Sequence, residues 1–154
     1  MPTRRLKAML AVVPLMFAVV GTVACTAQDP MTAIANSHIE ANVPKGKDFD
    51  EFMKRDLTTY FCGVEPDCRV EYELLRKGPT QSGVAYPKYY AWIKCHTSDK
   101  LKSEGAVRLA AIEQNGFDVT NFIPLSEIVK DPEQVRAVFP ASLVGGIIKR
   151  ARHQ

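Results

Sequence analysis

Apolar residues along this chain recur with different periods in different stretches, and the periods mark out the elements. From Asp48 to Cys62, the residues Phe49, Phe52, Met53, Leu57, Tyr60 and Phe61 return at spacings of three and four. That spacing draws one wide apolar stripe along a helix, with Asp50, Lys54, Arg55 and Thr58 off it. Asp48 with Glu51 reads as a capping box, and Gly63 stands where a left-handed residue closes a helix. From Cys68 the period falls to two. Cys68, Val70, Tyr72 and Leu74 alternate with Arg69, Glu71 and Glu73; in a second strand Tyr89, Ala91, Ile93 and Cys95 alternate with Tyr90, Trp92, Lys94 and His96. Between them Lys77 to Pro87 is rich in Gly, Pro and Ser, which predicts a long, mobile hairpin loop and a candidate contact surface.

Thr97 to Gly105 is polar and turn-like. Ala106 to Glu113 and Phe117 to Ile123 then predict a hairpin around Asn115-Gly116, the dipeptide that a two-residue type I′ turn favours. Val107, Leu109 and Phe122 share its buried face, and Pro124 ends its second strand. Asp131 before Pro132 predicts a helix running to about Phe139, and Leu143, Val144, Ile147 and Ile148 form a last helical face despite Gly145-Gly146. Lys149, Arg150 and Arg152 suit a helix C-terminus, where cations oppose the dipole. Upstream, Thr26 to Lys47 has few large apolar groups and reads as a tether, with a short helix from Pro30 to about Ala41.

This order predicts an α+β fold: an N-terminal helix packed on a four-stranded antiparallel sheet of two hairpins, followed by short C-terminal helices. It is similar to the order of elements in the cystatin-like and NTF2-like folds, an analogy of element order only. Residues 48–154 form a single domain, preceded by the tether over 25–47.

The first 24 residues belong to a different kind of segment. Arg4, Arg5 and Lys7 lead into an uncharged apolar run from Ala8 to Ala24, the layout of a secretory signal. Thr22-Val23-Ala24-Cys25 resembles a bacterial lipobox, which implies cleavage before Cys25 and a lipid on its thiol. The rival route is ordinary cleavage after Ala27. Either implies export to the periplasm of a bacterium, as a free protein or as a membrane-anchored lipoprotein. Taking the leader's three cations from the 20 basic residues leaves 17 against 17 acidic ones. A chain without basic excess lacks the electrostatic footprint of a nucleic-acid binder.

Loss or lipidation of Cys25 leaves Cys62, Cys68 and Cys95, an odd number, in a compartment that permits oxidation. Cys62 and Cys68 enclose a short turn-rich loop and are the favoured disulfide; Cys68 with Cys95 is the rival. One strand register sets Cys68 opposite Cys95. The register shifted by two sets Glu71 opposite Lys94 and Cys95 opposite Val70.

Candidate chemistry is sparse. His38, His96 and His153 are the imidazoles, and Cys95 beside His96 points to the opposite face of a strand, so no nucleophile–base pair forms there. No CxxC, no His pair four apart and no phosphate-binding glycine loop occurs, and no cofactor, metal site or catalytic activity is expected. The better expectation is a non-catalytic binding module of the immunity or inhibitor type, or an accessory part of an envelope or secretion assembly. Its partner would be another envelope protein or an exported effector. Tyr86, Tyr90, Trp92, Lys94 and His96 are the candidate contact residues, provided that their sheet face is uncovered. The alternative is a small-ligand carrier or enzyme with a cavity between sheet and helix, and a closed pocket would favour it.

Overall fold

The computed structural model describes residues 29–154. The leader, Cys25 and the lipobox-like stretch lie outside the described residues. Two helices open the described chain, α1 over Pro30–Asn42 and α2 over Asp48–Cys62. Four strands follow: β1 Cys68–Leu74, β2 Lys88–Thr97, β3 Lys100–Ile112 and β4 Gly116–Pro124. Three short helices end it: α3 Leu125–Lys130, α4 Glu133–Val138 and α5 Ala141–Arg152. The strands form one antiparallel sheet in the order β1-β2-β3-β4. The fold is mixed α+β, as its periodicities imply.

α1 starts where Asp29 accepts a hydrogen bond from the Thr32 amide at 3.1 Å. α2 starts differently from the capping box expected of Asp48 and Glu51. Asp48 lies inside the helix, Lys47 precedes it, and no side chain caps the end; Asp48, Asp50 and Glu51 instead place negative charge in the first turn. At its far end Gly63 takes φ 58°, the left-handed closure that its position predicts.

α2 lies across one face of the sheet. Met53 and Leu57 are fully buried against Tyr89, Ala91, Ile93 and Cys95 of β2 and Val107, Leu109 and Ala111 of β3. Phe49 meets Tyr89 and Phe117 edge-on, each at 5.0 Å between ring centroids. α3, α4 and α5 cover the other face. There Tyr90, Trp92 and Ala106 join Ile123, Ile128, Val135, Phe139, Val144, Ile147 and Ala151 in a second core. β2 is thus buried on both sides, which its unbroken apolar run from Tyr89 to Ile93 requires.

Between β1 and β2 the register sets Glu71 opposite Lys94 and Val70 opposite Cys95, the second of the two expected alternatives. The segment expected as a polar turn, Thr97 to Gly105, is mostly strand. A two-residue turn at Ser98 and Asp99, both left-handed at φ 47° and 63°, sends β3 straight back along β2 from Lys100. Here backbone pairing, not burial, makes the strand, because Lys100, Leu101 and Lys102 are exposed.

The next hairpin also departs from expectation. Its left-handed residues are Glu113 and Gln114, at φ 49° and 56°, not Asn115 and Gly116. That conformation costs each non-glycine residue on the order of 1 kcal/mol, and contacts from elsewhere offset it. The Glu113 amide donates to Asn42 Oδ1 at 3.0 Å, the Gln114 amide to the Asn42 carbonyl at 2.8 Å, and Arg55 Nη2 to the Asn115 carbonyl at 2.8 Å. Gly116 serves close approach instead: a Cβ there would stand 2.6 Å from Asp56 Oδ2, which accepts from the Phe117 amide at 2.7 Å.

Candidate functional site

Burial removes Tyr90 and Trp92 from the candidate contact surface. They are 5% and 1% exposed, and the face expected to be open to a partner is the second core. The polar ends of both aromatics find partners, one from the β1–β2 loop and one from β3. Tyr90 Oη bonds Thr80 Oγ1 at 2.7 Å, and Trp92 Nε1 donates to the buried Glu104 at 2.7 Å. The Arg150 guanidinium lies 4.8 Å from the centre of the Trp92 ring and pairs with Glu73 at 2.8 Å. Lys94 is taken up in an ion pair with Glu104 at 3.5 Å. His96 is partly buried, with both ring nitrogens shielded and unpartnered. Of the five candidate contact residues, only Tyr86 stands well out, on the β1–β2 loop, at 45% exposure beside the exposed Val84.

That loop is tied back on itself by hydrogen bonds. Thr80 and Lys88 exchange two backbone hydrogen bonds at 2.8 Å, and Gln81 Nε2 donates to the carbonyls of Gly83 and Ala85. Its exit is held by the Ala111 amide, which donates to the Pro87 carbonyl at 2.9 Å. The loop therefore leaves the sheet at the end where β3 turns into β4.

The same end carries an open groove of about 420 Å³ between α2 and the β3–β4 hairpin, lined by Arg55, Asp56, Thr59, Tyr60, Glu113, Asn115, Phe117, Asp118 and Val119. Its walls are cross-tied. Arg55 is held by Asp56 at 2.7 Å and by the Asn115 carbonyl, and the Asp56 carboxylate also holds the Phe117 amide. The Asp56 pairing and hydrogen bond raise the affinity of the Arg55 guanidinium for its proton. Tyr60, 56% exposed, stands at the rim and packs edge-on against Phe61 at 4.9 Å. Sequence periodicity places Tyr60 in the apolar stripe. The last turn of α2 instead turns Phe61 toward Phe122 and Cys62 toward Cys68, which leaves Tyr60 outside.

The cysteines gather at the C-terminal end of α2, two residues beyond Tyr60. Cys62 and Cys68 form the favoured disulfide, with Cα atoms 5.6 Å apart, and the third thiol, Cys95, is fully buried, with its Sγ 3.5 Å from Cys68 Sγ. The odd thiol is thus shielded by the core. Burial pushes its pKa up; Lys102 pulls it down and Glu65 pushes it up, both more weakly.

By fold the molecule is a two-core α+β protein with a four-stranded meander between helices. No family model, no characterised protein and no solved structure matches the chain. No helix among the described residues is long and apolar enough to cross a membrane.

Proposed function

We propose that this is an exported bacterial envelope protein that acts as a non-catalytic binding module, and that it engages a protein partner through its exposed tyrosines, Tyr60 on the groove rim and Tyr86 on the β1–β2 loop. Tyr60 carries this reading: a large aromatic side chain more than half exposed on the rim of a groove whose backbone is cross-tied by Arg55, Asp56 and Asn42. Exposed tyrosines on rigid supports lose little entropy on binding and are enriched among interface residues that dominate affinity. Export is supported by the basic and apolar layout of residues 1–24 and by the disulfide.

The cavity alternative finds less support, because Met53, Leu57, Ile93 and Leu109 fill the space between sheet and α2. The partner belongs to the envelope or is an exported effector. A pull-down from envelope extract tests the reading. Tyr60→Ala with Tyr86→Ala should weaken capture about 30-fold, the loss of one strong anchor, while Val129→Ala on the exposed side of α3 should leave it unchanged. Equal capture by all three proteins at equal thermal stability would refute the assignment.

A further inference from the structure

We propose that Cys62, Cys68 and Cys95 form a thiol–disulfide exchange site, in which Cys95 displaces Cys62 from Cys68 and so unpins the end of α2 from β1. The three sulfurs lie within 4.8 Å of one another, brought together from three elements: the last residue of α2, the first of β1 and the interior of β2. Cys95 Sγ is in contact with Cys68 Sγ at 3.5 Å, and closing the remaining distance of about 1.5 Å makes a disulfide. The observed register puts Cys95 opposite Val70, so Cys68 is its diagonal neighbour on the same sheet face.

The step balances without an oxidant. Cys95 loses its proton and its thiolate attacks Cys68 Sγ. The Cys68–Cys95 bond forms, the Cys62–Cys68 bond breaks, and Cys62 leaves as a thiolate that takes up a proton. One disulfide and one thiol remain. What changes is the connectivity. The first link ties α2 to β1 across six positions; the second ties β1 to β2, already paired strands, across 27. Exchange therefore leaves the sheet locked and lets go of the helix, whose last turn sets the position of Tyr60. The charged groups acting on Cys95 are Lys102 on β3 and Glu65 in the turn before β1, paired with each other at 2.6 Å. Because burial keeps the thiol protonated, the rate should rise with pH, about tenfold per unit while the thiolate is the minor form.

The test uses the oxidised full-length protein, folded and without reductant, held with excess iodoacetamide at pH 7 and at pH 9. Non-reducing digestion in acid and mass mapping then locate the label. Trapping should accumulate label on Cys62 in molecules that carry the Cys68–Cys95 bond, faster at pH 9, and Cys95→Ser should abolish it. Label on Cys95 alone, or none, with Cys62–Cys68 intact at both pH values, would overturn the proposal. Cys62→Ser supplies a second measurement. Its folded form should oxidise to Cys68–Cys95, and two persistent thiols after oxidant would also overturn it; should that variant not fold, the labelling of the unaltered protein decides.

Discussion

One face of the sheet is covered by a single helix of 15 residues, the other by three helices of 6, 6 and 12. The core under α2 is built of aliphatic side chains and of aromatic rings that meet edge to face. The core under α3 to α5 is built around Tyr90 and Trp92, and each keeps a polar tip that needs a partner: Thr80 for the first, Glu104 for the second. Arg150 spans the rim of this core, over the Trp92 ring and out to Glu73. A long helix advertises its burial by a repeating stripe. Three short segments contribute a few apolar residues each, so in the sequence the second core shows only in the face of α5 and in the strand beneath it.

If both faces are core, substitutions on each should cost alike. Trp92→Ala should destabilise the protein by about 3–5 kcal/mol and Leu57→Ala by about 2–5 kcal/mol in chemical denaturation. A cost below about 0.5 kcal/mol at Trp92 would return that residue to the surface. Ile147→Ala, on the helix that covers Trp92, should fall in the same range of about 2–5 kcal/mol and bring the two faces level.

The disulfide serves only the α2 side. With Cys68 and Cys95 kept reduced, Cys62→Ser should cost about 2 kcal/mol or somewhat more, since its short loop constrains the unfolded chain modestly. Asn42→Ala removes the acceptor of the Glu113 amide at a part-buried site and should cost about 1–2 kcal/mol, read by the same denaturation. It sharpens the comparison by asking how far α1 contributes to the α2 side of the fold.

The smallest effect expected is on pH. The Asp50 carboxyl is held below its ordinary value by Lys54 and then by the Tyr72 hydroxyl, and that of Glu65 by Lys102 and then Thr97. A carboxyl lowered in the folded state stabilises it at neutral pH. That contribution begins to fade as pH enters the range where the unfolded group gains its proton, and it is gone below the folded value. Both pairs are exposed, so a melting series from pH 6 to pH 3 should show a shallow decline, reduced further when Asp50→Asn removes one of them.

The elements with one-sided patterns were legible. α2 and β1 follow their periods, and α1, the Asp131 start and the face of α5 follow local signals. What was not legible depends on partners distant in sequence. Glu113 and Gln114 are left-handed because Asn42, more than seventy positions earlier, receives their amides. The early part of β3 is exposed strand without apolar rhythm, and α3 is too short to show a stripe of its own. For the site, Tyr86 was legible because an exposed loop carries it. Tyr60 was not, because its place in the stripe argues for burial and only the inward turn of Phe61 and Cys62 displaces it. The burial of Tyr90 and Trp92 had a visible sign: five consecutive apolar residues in β2 leave no face for solvent.

Trp92 is the chain's one tryptophan, so its fluorescence reports on the second core without any substitution. In the folded protein its emission should be shifted to the blue of the unfolded chain and should resist quenching by acrylamide, because α3, α4 and α5 exclude water and quencher from the ring. Emission at the unfolded position, quenched as fully as in denaturant while the sheet remains folded, would contradict the two-core account.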